Sequence, residues 1–213
     1  TMAYSEEKGH SQMRLNGRAR VASMALIRYA DDFVIMHQKL EVVLGAKKVI
    51  EEWLKPIGLE LKPEKTRIAH TMNEHDNECP GFDFLGFNIR QYEVHTAKKR
   101  GYKTLIKPSK KSVKTHYDKL KAVLDKQKTA STVSLISKLN PVIKGWSNYY
   151  KTVTSKRVFN KLDNLIWRRL WRWCKRRHPN KSGKWVKARY FKPIGTSKWI
   201  LNANGYRIAK HSN

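Results

Sequence analysis

The stretch VASMALIRYADDFVIM, residues 21–36, decides the fold of the first half of the chain. Apolar residues flank the polar segment Arg28–Asp32 on both sides, and the valines and isoleucines among them favour β-strands. A single helix is less consistent with this pattern, because it would place two adjacent carboxylates in the middle of an apolar element. The stretch therefore predicts two buried strands joined by an acidic turn. A surface hairpin that uses Asp only because Asp suits turns is the alternative.

The segments after this hairpin predict a helix and further strands. Apolar residues recur every three or four positions between Gln38 and Ile57, which indicates an amphipathic helix, and Gly58 follows where a helix C-terminus is expected. Polarity alternates through residues 59–62 and 66–70 around Pro63, which predicts a second hairpin. Residues 82–89, FDFLGFNI, predict one further strand with its phenylalanines on one face.

The second half of the chain has helical periodicity. The apolar spacing predicts helices at 113–127, 133–139, 142–150 and 155–173. The pair Asn140-Pro141 is interpreted as a cap and a first helical residue that open the third helix, and Ser155 is interpreted as the cap of the fourth. The composition changes at residues 96–104, so two domains are predicted, 1–97 and 98–213. The predicted fold class is α+β, with a helical second domain.

The net charge of +28, from 45 Lys and Arg against 17 Asp and Glu, belongs to the second half. Residues 1–97 carry 13 basic and 14 acidic side chains, whereas residues 98–213 carry 32 basic and three acidic ones. Such an excess repels itself in a folded domain and is offset by a polyanion. Nucleic acid is the expected partner, and an anionic membrane surface is the second candidate.

The cysteines and the apolar runs indicate the compartment. Cys79 and Cys174 form neither a CxxC pair nor a disulfide framework, and no apolar run approaches the roughly 18 residues of a membrane span. The first residues lack a basic-then-apolar leader pattern. An intracellular protein is expected, cytoplasmic in a bacterium or located in an organelle, and not secreted.

Asp31 and Asp32 are the candidate metal ligands. Nucleotidyl transfer uses two divalent cations that clamp the attacking and the leaving oxygens, and Mg²⁺ prefers carboxylate ligands. Two carboxylates at a tight turn supply such ligands on a rigid support, and Tyr29 beside them can pack against a nucleotide. Mg²⁺ is therefore the expected cofactor.

The order of several segments resembles the group II intron-encoded reverse transcriptase/maturase family. RYADD at 28–32 resembles the acidic hairpin of reverse transcriptases, and the segments that follow it match the family in the same order. They are GLELKPEKT at 58–66 and FLGF at 84–87 of the palm, then IKPSKKSV at 106–113, LNPVIKGWSNYY at 139–150 and LWRWCKRRHP at 170–179 of the thumb or maturase X domain. The resemblance implies a partial palm of antiparallel strands with one helix, followed by an α-helical thumb/X domain.

The resemblance also implies roles for individual residues. Asp31 and Asp32 become catalytic metal ligands, and Lys65 stabilises or protonates the departing pyrophosphate. Phe84, Leu85 and Gly86 contact the primer strand. The alternatives are a solvated lysine at position 65 and a core role for the phenylalanine.

The basic residues of the second half are the candidate RNA contacts. Arginine matches phosphate with its fork of donors and can stack on exposed bases. The candidates are Lys98, Lys99, Arg100, Lys110, Lys111, Lys144, Arg168, Arg172, Lys175, Arg176 and Arg177. On a helix Arg168, Arg172 and Lys175 share one side, which is expected to face RNA.

One part of the family pattern is not matched. The intact enzymes use a further catalytic Asp upstream in the palm and a fingers region, and the 30 residues before Asp31 contain no Asp. The chain is therefore expected to need an N-terminal fingers and palm half, and not to polymerise alone. Two functions stay open: RNA-directed DNA synthesis coupled to intron splicing in the intact protein, and a catalytically inactive maturase-type module that binds intron RNA. A general basic RNA-binding protein is a third possibility.

Overall fold

The computed structural model describes residues 2–4, 24–96, 99–195 and 197–212. It divides the chain into two units, Thr1–Ile106 and Lys107–Asn213. The boundary drawn from composition after residue 97 falls between two strands that share a sheet. The structural division after Ile106 leaves the first of these strands and all but the last two residues of the second in the first unit, where the two strands are hydrogen-bonded neighbours.

The first unit contains a four-stranded sheet of β1 (Met2–Tyr4), β2 (Ala25–Tyr29), β3 (Asp32–His37) and β4 (Ile68–His70), in the order β2-β3-β1-β4. Strands β2 and β3 pair antiparallel with Tyr29 opposite Asp32, so the acidic hairpin predicted from the sequence forms. Strand β1 pairs in parallel with β3 and β4, which makes the sheet mixed. The prediction that both hairpin strands are buried is wrong for β2, which is exposed along its length because the buried clusters of the first unit, among the described residues, take their hairpin residues from β3.

Helix α1 (Leu40–Leu54) covers part of this sheet. Val43 is fully buried against Ile35 of β3, and Ala46 and Ile50 pack at the margin of the same cluster. The helix ends earlier than its apolar period suggests, because a short 3-10 helix that contains Pro56 takes over at residues 55–57. Trp53, in the last turn of α1, is 65% exposed, so the predicted apolar stripe is not buried at its C-terminal end.

Strands β5 (Phe82–Phe84), β6 (Phe87–Thr96) and β7 (Lys99–Pro108) form a second sheet in that order. Gly81, where β5 begins, has φ +89°, and a Cβ there would lie 2.6 Å from the Ile89 carbonyl oxygen, so only glycine fits. The single strand predicted over residues 82–89 is wrong. Leu85 and Gly86 both have positive φ and turn the chain into a hairpin in which Phe84 faces Phe87.

The hairpin predicted around Pro63 is also wrong. Residues 59–62 form no strand, and residues 63–65 form a 3-10 helix with Pro63 at its first position. Proline has no N–H to donate to a strand partner, and its fixed φ suits the start of a helical turn. Only the second segment of the predicted pair becomes a strand, as β4.

The second unit packs helices α2 (Lys110–Lys126), α3 (Thr132–Tyr150), α4 (Lys156–Arg177) and α5 (Gly183–Tyr190) around one core. Ser109, Ser131 and Ser182 cap α2, α3 and α5 by accepting a hydrogen bond from a backbone N–H of the first turn. Ser155 precedes α4 as predicted, but its hydroxyl donates to the Val153 carbonyl and makes no cap bond to the helix.

The two helices predicted on either side of Asn140 are one continuous helix, α3. Pro141 lies inside it on the exposed side, where the carbonyl of Ser137 that it leaves unpaired can face water. Apolar residues on both sides of the proline are buried along one stripe, which holds the helix together across it. They are Leu135, Ile136, Leu139 and Ile143.

The helical prediction for the second half is incomplete, although the α+β fold class is confirmed. Strands β8 (Phe191–Ile194), β9 (Ser197–Ala203) and β10 (Tyr206–Arg207) form an antiparallel sheet in the order β10-β9-β8. Leu201 and Ile200 of this sheet are buried in the same core as the helices. The sequence shows no clear period there, because apolar and polar residues alternate over too few positions in such short strands to be recognised.

Candidate active site and nucleic-acid interface

The acidic turn joins β2 to β3 through only two residues, Ala30 and Asp31. Because Tyr29 pairs with Asp32, the hairpin presents Asp31 at its tip and Asp32 at the first position of β3, and both residues are exposed. Ala30 has φ +51°, which a residue with a Cβ adopts at some cost, and the Arg28 side chain donates to the Ala30 carbonyl oxygen at 3.0 Å. The strained turn is thus held by its own neighbour, as is common at functional sites.

The two carboxylates are the type of ligand that Mg²⁺ prefers, but two residues are too few for a two-metal site. Carboxylate oxygens are the hard ligands that this cation prefers, and the exposed turn leaves room for water or phosphate ligands. Within residues 24–96, 99–195 and 197–212 no group of three or more His, Cys, Asp or Glu side chains comes together. The described residues therefore bring together too few candidate ligands for a complete two-metal site, and the metal role of Asp31 and Asp32 stays a prediction.

Lys65 lies at the same end of the sheet as the acidic turn, the end at which the parallel strands β3 and β4 begin. Ile35 of β3 and Ile68 of β4 are both aligned with Met2 of β1, and the two strands run in parallel. Asp32 precedes Ile35 by three residues, and Lys65 precedes Ile68 by three. With β1 between them, strands β3 and β4 are roughly 10 Å apart; Asp32 opens β3, and Lys65 ends the 3-10 turn that precedes β4. Lys65 is exposed at the end of its 3-10 turn, so both a solvated role and a role beside a triphosphate remain compatible with its place.

The segment Phe84-Leu85-Gly86 is half-buried at the turn between β5 and β6. Phe84 packs against a small cluster that contains Val34 of β3, so it supports the core beneath the acidic hairpin. Leu85 has φ +49°, which is unusual for a residue with a bulky side chain. The primer contacts expected for these three residues stay predictions.

The basic side chains of helix α4 differ in exposure. Arg168, Arg172 and Arg176 are exposed, whereas Lys175 and Arg177 are half-buried. Arg177 lies over the Trp173 ring, 4.5 Å from its centroid, and donates to the Ala130 carbonyl. Arg177 therefore links two segments of its own unit, and RNA contact stays a prediction chiefly for the exposed arginines.

The buried stripe of α4 is rotated from the predicted one. The helical spacing of the sequence predicts a stripe of Val158, Leu162, Leu165, Arg169 and Trp173. In the structure Arg169 is half-buried and donates to the Tyr117 hydroxyl at 2.7 Å. The core positions are Phe159, Leu162, Ile166, Leu170, Trp173 and Cys174. The difference arises because the core lies on the side where Ile166 and Leu170 meet α2, α3 and the C-terminal sheet.

The other candidate RNA contacts lie at separate places on the chain. Lys110 and Lys111 are exposed in the first turn of α2, and Lys144 is exposed on α3. Lys98 and the side chains of Lys99 and Arg100 lie outside the described residues. None of these positions is adjacent to a carboxylate in the sequence, so each adds to a positive surface.

A buried polar network ties the end of the chain to α2 and α4. His116 Nε2 lies 2.8 Å from His211 Nε2, and His211 Nδ1 lies 2.7 Å from Asp163 Oδ1. Burial, together with the nearby charges of His211 and Lys119, lowers the pKa of His116 to about 3. Burial alone would raise the pKa of Asp163, but hydrogen bonds from His211 and Ser212 lower it below its usual value. The network stabilises the second unit with His116 neutral.

A cavity beside α3 was missed by sequence reasoning. It contains Lys144, which the sequence indicated, and also Tyr206, Arg207 and Lys210, which it did not. The dipeptide Asn204-Gly205 was the available signal, since it is typical of a two-residue hairpin turn. It could have predicted the β9–β10 hairpin, but not the face of α3 against which that hairpin lies.

Comparison with known proteins identifies both units. Residues 10–89 match the family model for the reverse transcriptase (RNA-dependent DNA polymerase), and residues 113–191 match the model for the group II intron maturase-specific domain. The two matches therefore occur in the order that the sequence motifs indicate for group II intron-encoded reverse transcriptase/maturases. The acidic hairpin lies within the first match, and helices α3 and α4 lie within the second.

A curated protein similar to this chain is the ribosomal operon-associated A protein of Euglena longa. The two are 31% identical over 93 residues, which make up 43% of this chain and 18% of the relative. The chain therefore spans less than a fifth of that protein's length. Among the described residues, no helix is both long and apolar enough to cross a membrane.

Proposed function

We propose that this chain forms part of a reverse transcriptase/maturase that synthesises DNA on an RNA template and binds intron RNA to promote its splicing. The observation that carries the proposal is the pair Asp31 and Asp32, exposed at a two-residue turn at the same end of the sheet as Lys65. A basic domain with the maturase match follows it in the chain.

In this function Asp31 and Asp32 hold Mg²⁺ together with ligands from residues beyond the described ones. The cation supplies charge that lowers the energy of the attacking hydroxyl and of the departing oxygen. Tyr29 lies directly before the turn and is 64% exposed. Its ring offers a surface against which the sugar and base of the primer end can pack. Lys65 offsets the negative charge that develops on the pyrophosphate, as a cation positioned at the leaving group does.

The apolar surface of the first unit supports a further partner. Leu26 and Ile27 of β2 are about half exposed or more, as are Val49, Trp53 and Ile57 in and after α1. Exposed apolar residues in such number mark surfaces that another protein segment covers. The proposed cover is the fingers and upstream palm of the intact protein, which would also bring the missing carboxylate.

Primer extension on an RNA template tests the catalytic part of the proposal with the full-length protein. Asp31→Asn is expected to lower the extension rate by about 100-fold or more, since loss even of a group behind a metal ligand costs about 10- to 100-fold. Asp76→Asn is the matched control, because Asp76 is exposed in a loop and adopts a positive φ that Asn tolerates. Equal loss in both variants, or normal activity of Asp31→Asn, would contradict the assignment.

The alternative is an inactive maturase-type module that binds intron RNA. The charge of the second half favours RNA binding independently of catalysis, with 32 basic and three acidic residues after residue 97. If about eight phosphates are neutralised, affinity falls by about 10³- to 10⁵-fold between 50 and 200 mM salt. Tight binding with no extension by the full-length protein would favour this module. Equal affinity for an unrelated structured RNA at moderate salt would remove the link to introns.

A further inference from the structure

The cavity beside α3 has the size and shape of a ligand site. Its volume is about 680 Å³, and it lies between the second half of α3 and the β9–β10 hairpin. Cavities that hold small molecules span about 300–1,000 Å³, so one nucleotide fits within it. All of the described lining residues belong to the second unit.

Asn140 holds the walls of this cavity in place. Its Nδ2 donates to the Arg207 carbonyl oxygen at 2.9 Å, and its Oδ1 accepts from the Ala209 N–H at 2.8 Å. The Ile208 N–H donates to the Leu201 carbonyl oxygen on the other side of the same strand segment. The backbone at 207–209 is therefore fixed both to α3 and to β9, and the cavity exists before a ligand enters.

The charge of the cavity selects an anion. Lys144, Arg207 and Lys210 line it, and no Asp or Glu is among the described lining residues. Asp163 binds the adjacent residues His211 and Ser212, and its two carboxylate oxygens accept hydrogen bonds from them. Asp163 is not among the described lining residues, so the charged side chains that line the cavity in the described part of the chain are Lys144, Arg207 and Lys210. A phosphate group suits such a set of donors.

Tyr206 adds a surface for a base. The two-residue turn Asn204-Gly205, with both φ angles positive, places Tyr206 opposite Ala203 at the start of β10, and the residue is 56% exposed. An exposed ring at the rim of a cationic cavity is the arrangement on which unpaired bases stack. Asn148, exposed on α3, contributes an amide that can bond to a base edge.

We propose that this cavity binds one unstacked nucleotide of an RNA strand, with its phosphate held by Lys144, Arg207 and Lys210 and its base against Tyr206. The proposal rests on the RNA-binding part of the proposed function and names where one contact is made. A concave site with cations inside and an aromatic ring at its rim fits a single nucleotide better than the flat surface of a bilayer.

The test uses a single-stranded RNA that carries 5-iodouridine, the intact chain and two readouts: the dissociation constant and the photo-crosslinked residue identified by mass spectrometry. Tyr206→Leu is expected to weaken binding by about 5- to 150-fold, the range for loss of one base–aromatic stack, and to abolish the crosslink at position 206. Tyr206→Phe keeps the ring and is expected to bind like the wild type. Arg207→Gln should lower the slope of log affinity against log salt by about 0.7.

Lys121→Gln is the matched charge control, since Lys121 is exposed on α2 and does not line the cavity. If Tyr206→Leu binds the RNA as tightly as the wild type does, and the crosslinks form at other residues, the cavity assignment is overturned while RNA binding by the chain stands. No RNA binding by the wild type even at low salt would refute the proposed function itself. Binding to phosphatidylserine vesicles that depends on Tyr206, without RNA binding, would assign the site to a membrane and refute the proposal.

Discussion

Replacing Asn140 by aspartate distinguishes two roles for this side chain. As a helix cap, which the sequence predicts, Asn and Asp are nearly equivalent, because only the side-chain oxygen is used. In the structure Asn140 lies inside α3 and uses both ends of its amide, donating to the Arg207 carbonyl and accepting from the Ala209 N–H. Aspartate keeps the acceptor but replaces the donor with a charged oxygen that faces a carbonyl oxygen.

The expected cost follows from these two bonds. Loss of the bond to Arg207 removes about 1 kcal/mol, and an unpaired acceptor facing a carboxylate adds about 1–3 kcal/mol. Because Arg207 is exposed, water can reach its carbonyl, and the total should be nearer the lower end, about 2 kcal/mol. In a unit of about 100 residues this lowers Tm by roughly 8 °C.

Tryptophan fluorescence during thermal and urea unfolding measures the change. Six of the seven tryptophans lie after residue 106, so the signal reports mainly on the second unit. Asn148→Asp is the control, because it makes the same chemical change at an exposed position of the same helix. If Asn140→Asp is as stable as the wild type while Asn140→Ala is destabilised, the side chain acts as a cap and the bond to Arg207 does not contribute.

Two further predictions concern pH and backbone space. His116 has its pKa lowered to about 3 in the folded chain, so below pH 6.5 the unfolded chain binds the proton first. Stability of the second unit should therefore fall as pH drops from 6.5 towards 3, by up to about 1.4 kcal/mol per pH unit. His116→Gln should flatten this dependence in urea titrations and exposed His95→Gln should not; an unchanged slope in His116→Gln would contradict the burial argument. Gly81→Ala places a Cβ 2.6 Å from the Ile89 carbonyl oxygen and should speed amide hydrogen exchange in β5 and β6. Gly45→Ala, with open space around it, should leave that exchange unchanged; equal exchange in the two variants would show that the hairpin adapts.

The acidic hairpin and α1 were predictable because their signals are local. Tyr29 and Asp32 pair across a two-residue turn, so the partners are three residues apart and the polarity pattern marks both strands. The exposure of β2 was not predictable, since an apolar strand has the same sequence at an edge as in the centre of a sheet. Lys65 lies at the same end of the sheet as the acidic turn because β3 and β4 are aligned in parallel through β1. No local sequence pattern predicts that alignment.

The sequence by itself determined the α+β class, the acidic hairpin, the helical character of residues 110–177 and the location of the positive charge in the second half. These follow from periodicity and composition, which act over a few residues or over the whole segment. Only the tertiary structure decided that α3 continues through Pro141 and that Asn140 binds the β10 segment, 67 and 69 residues further along the chain. An interior proline costs a helix about 3 kcal/mol, and burial of the leucines and isoleucines on either side can offset that cost. Whether burial outweighs the cost of the proline depends on what α3 packs against. The cavity between α3 and residues 207–209 likewise exists only in the folded unit.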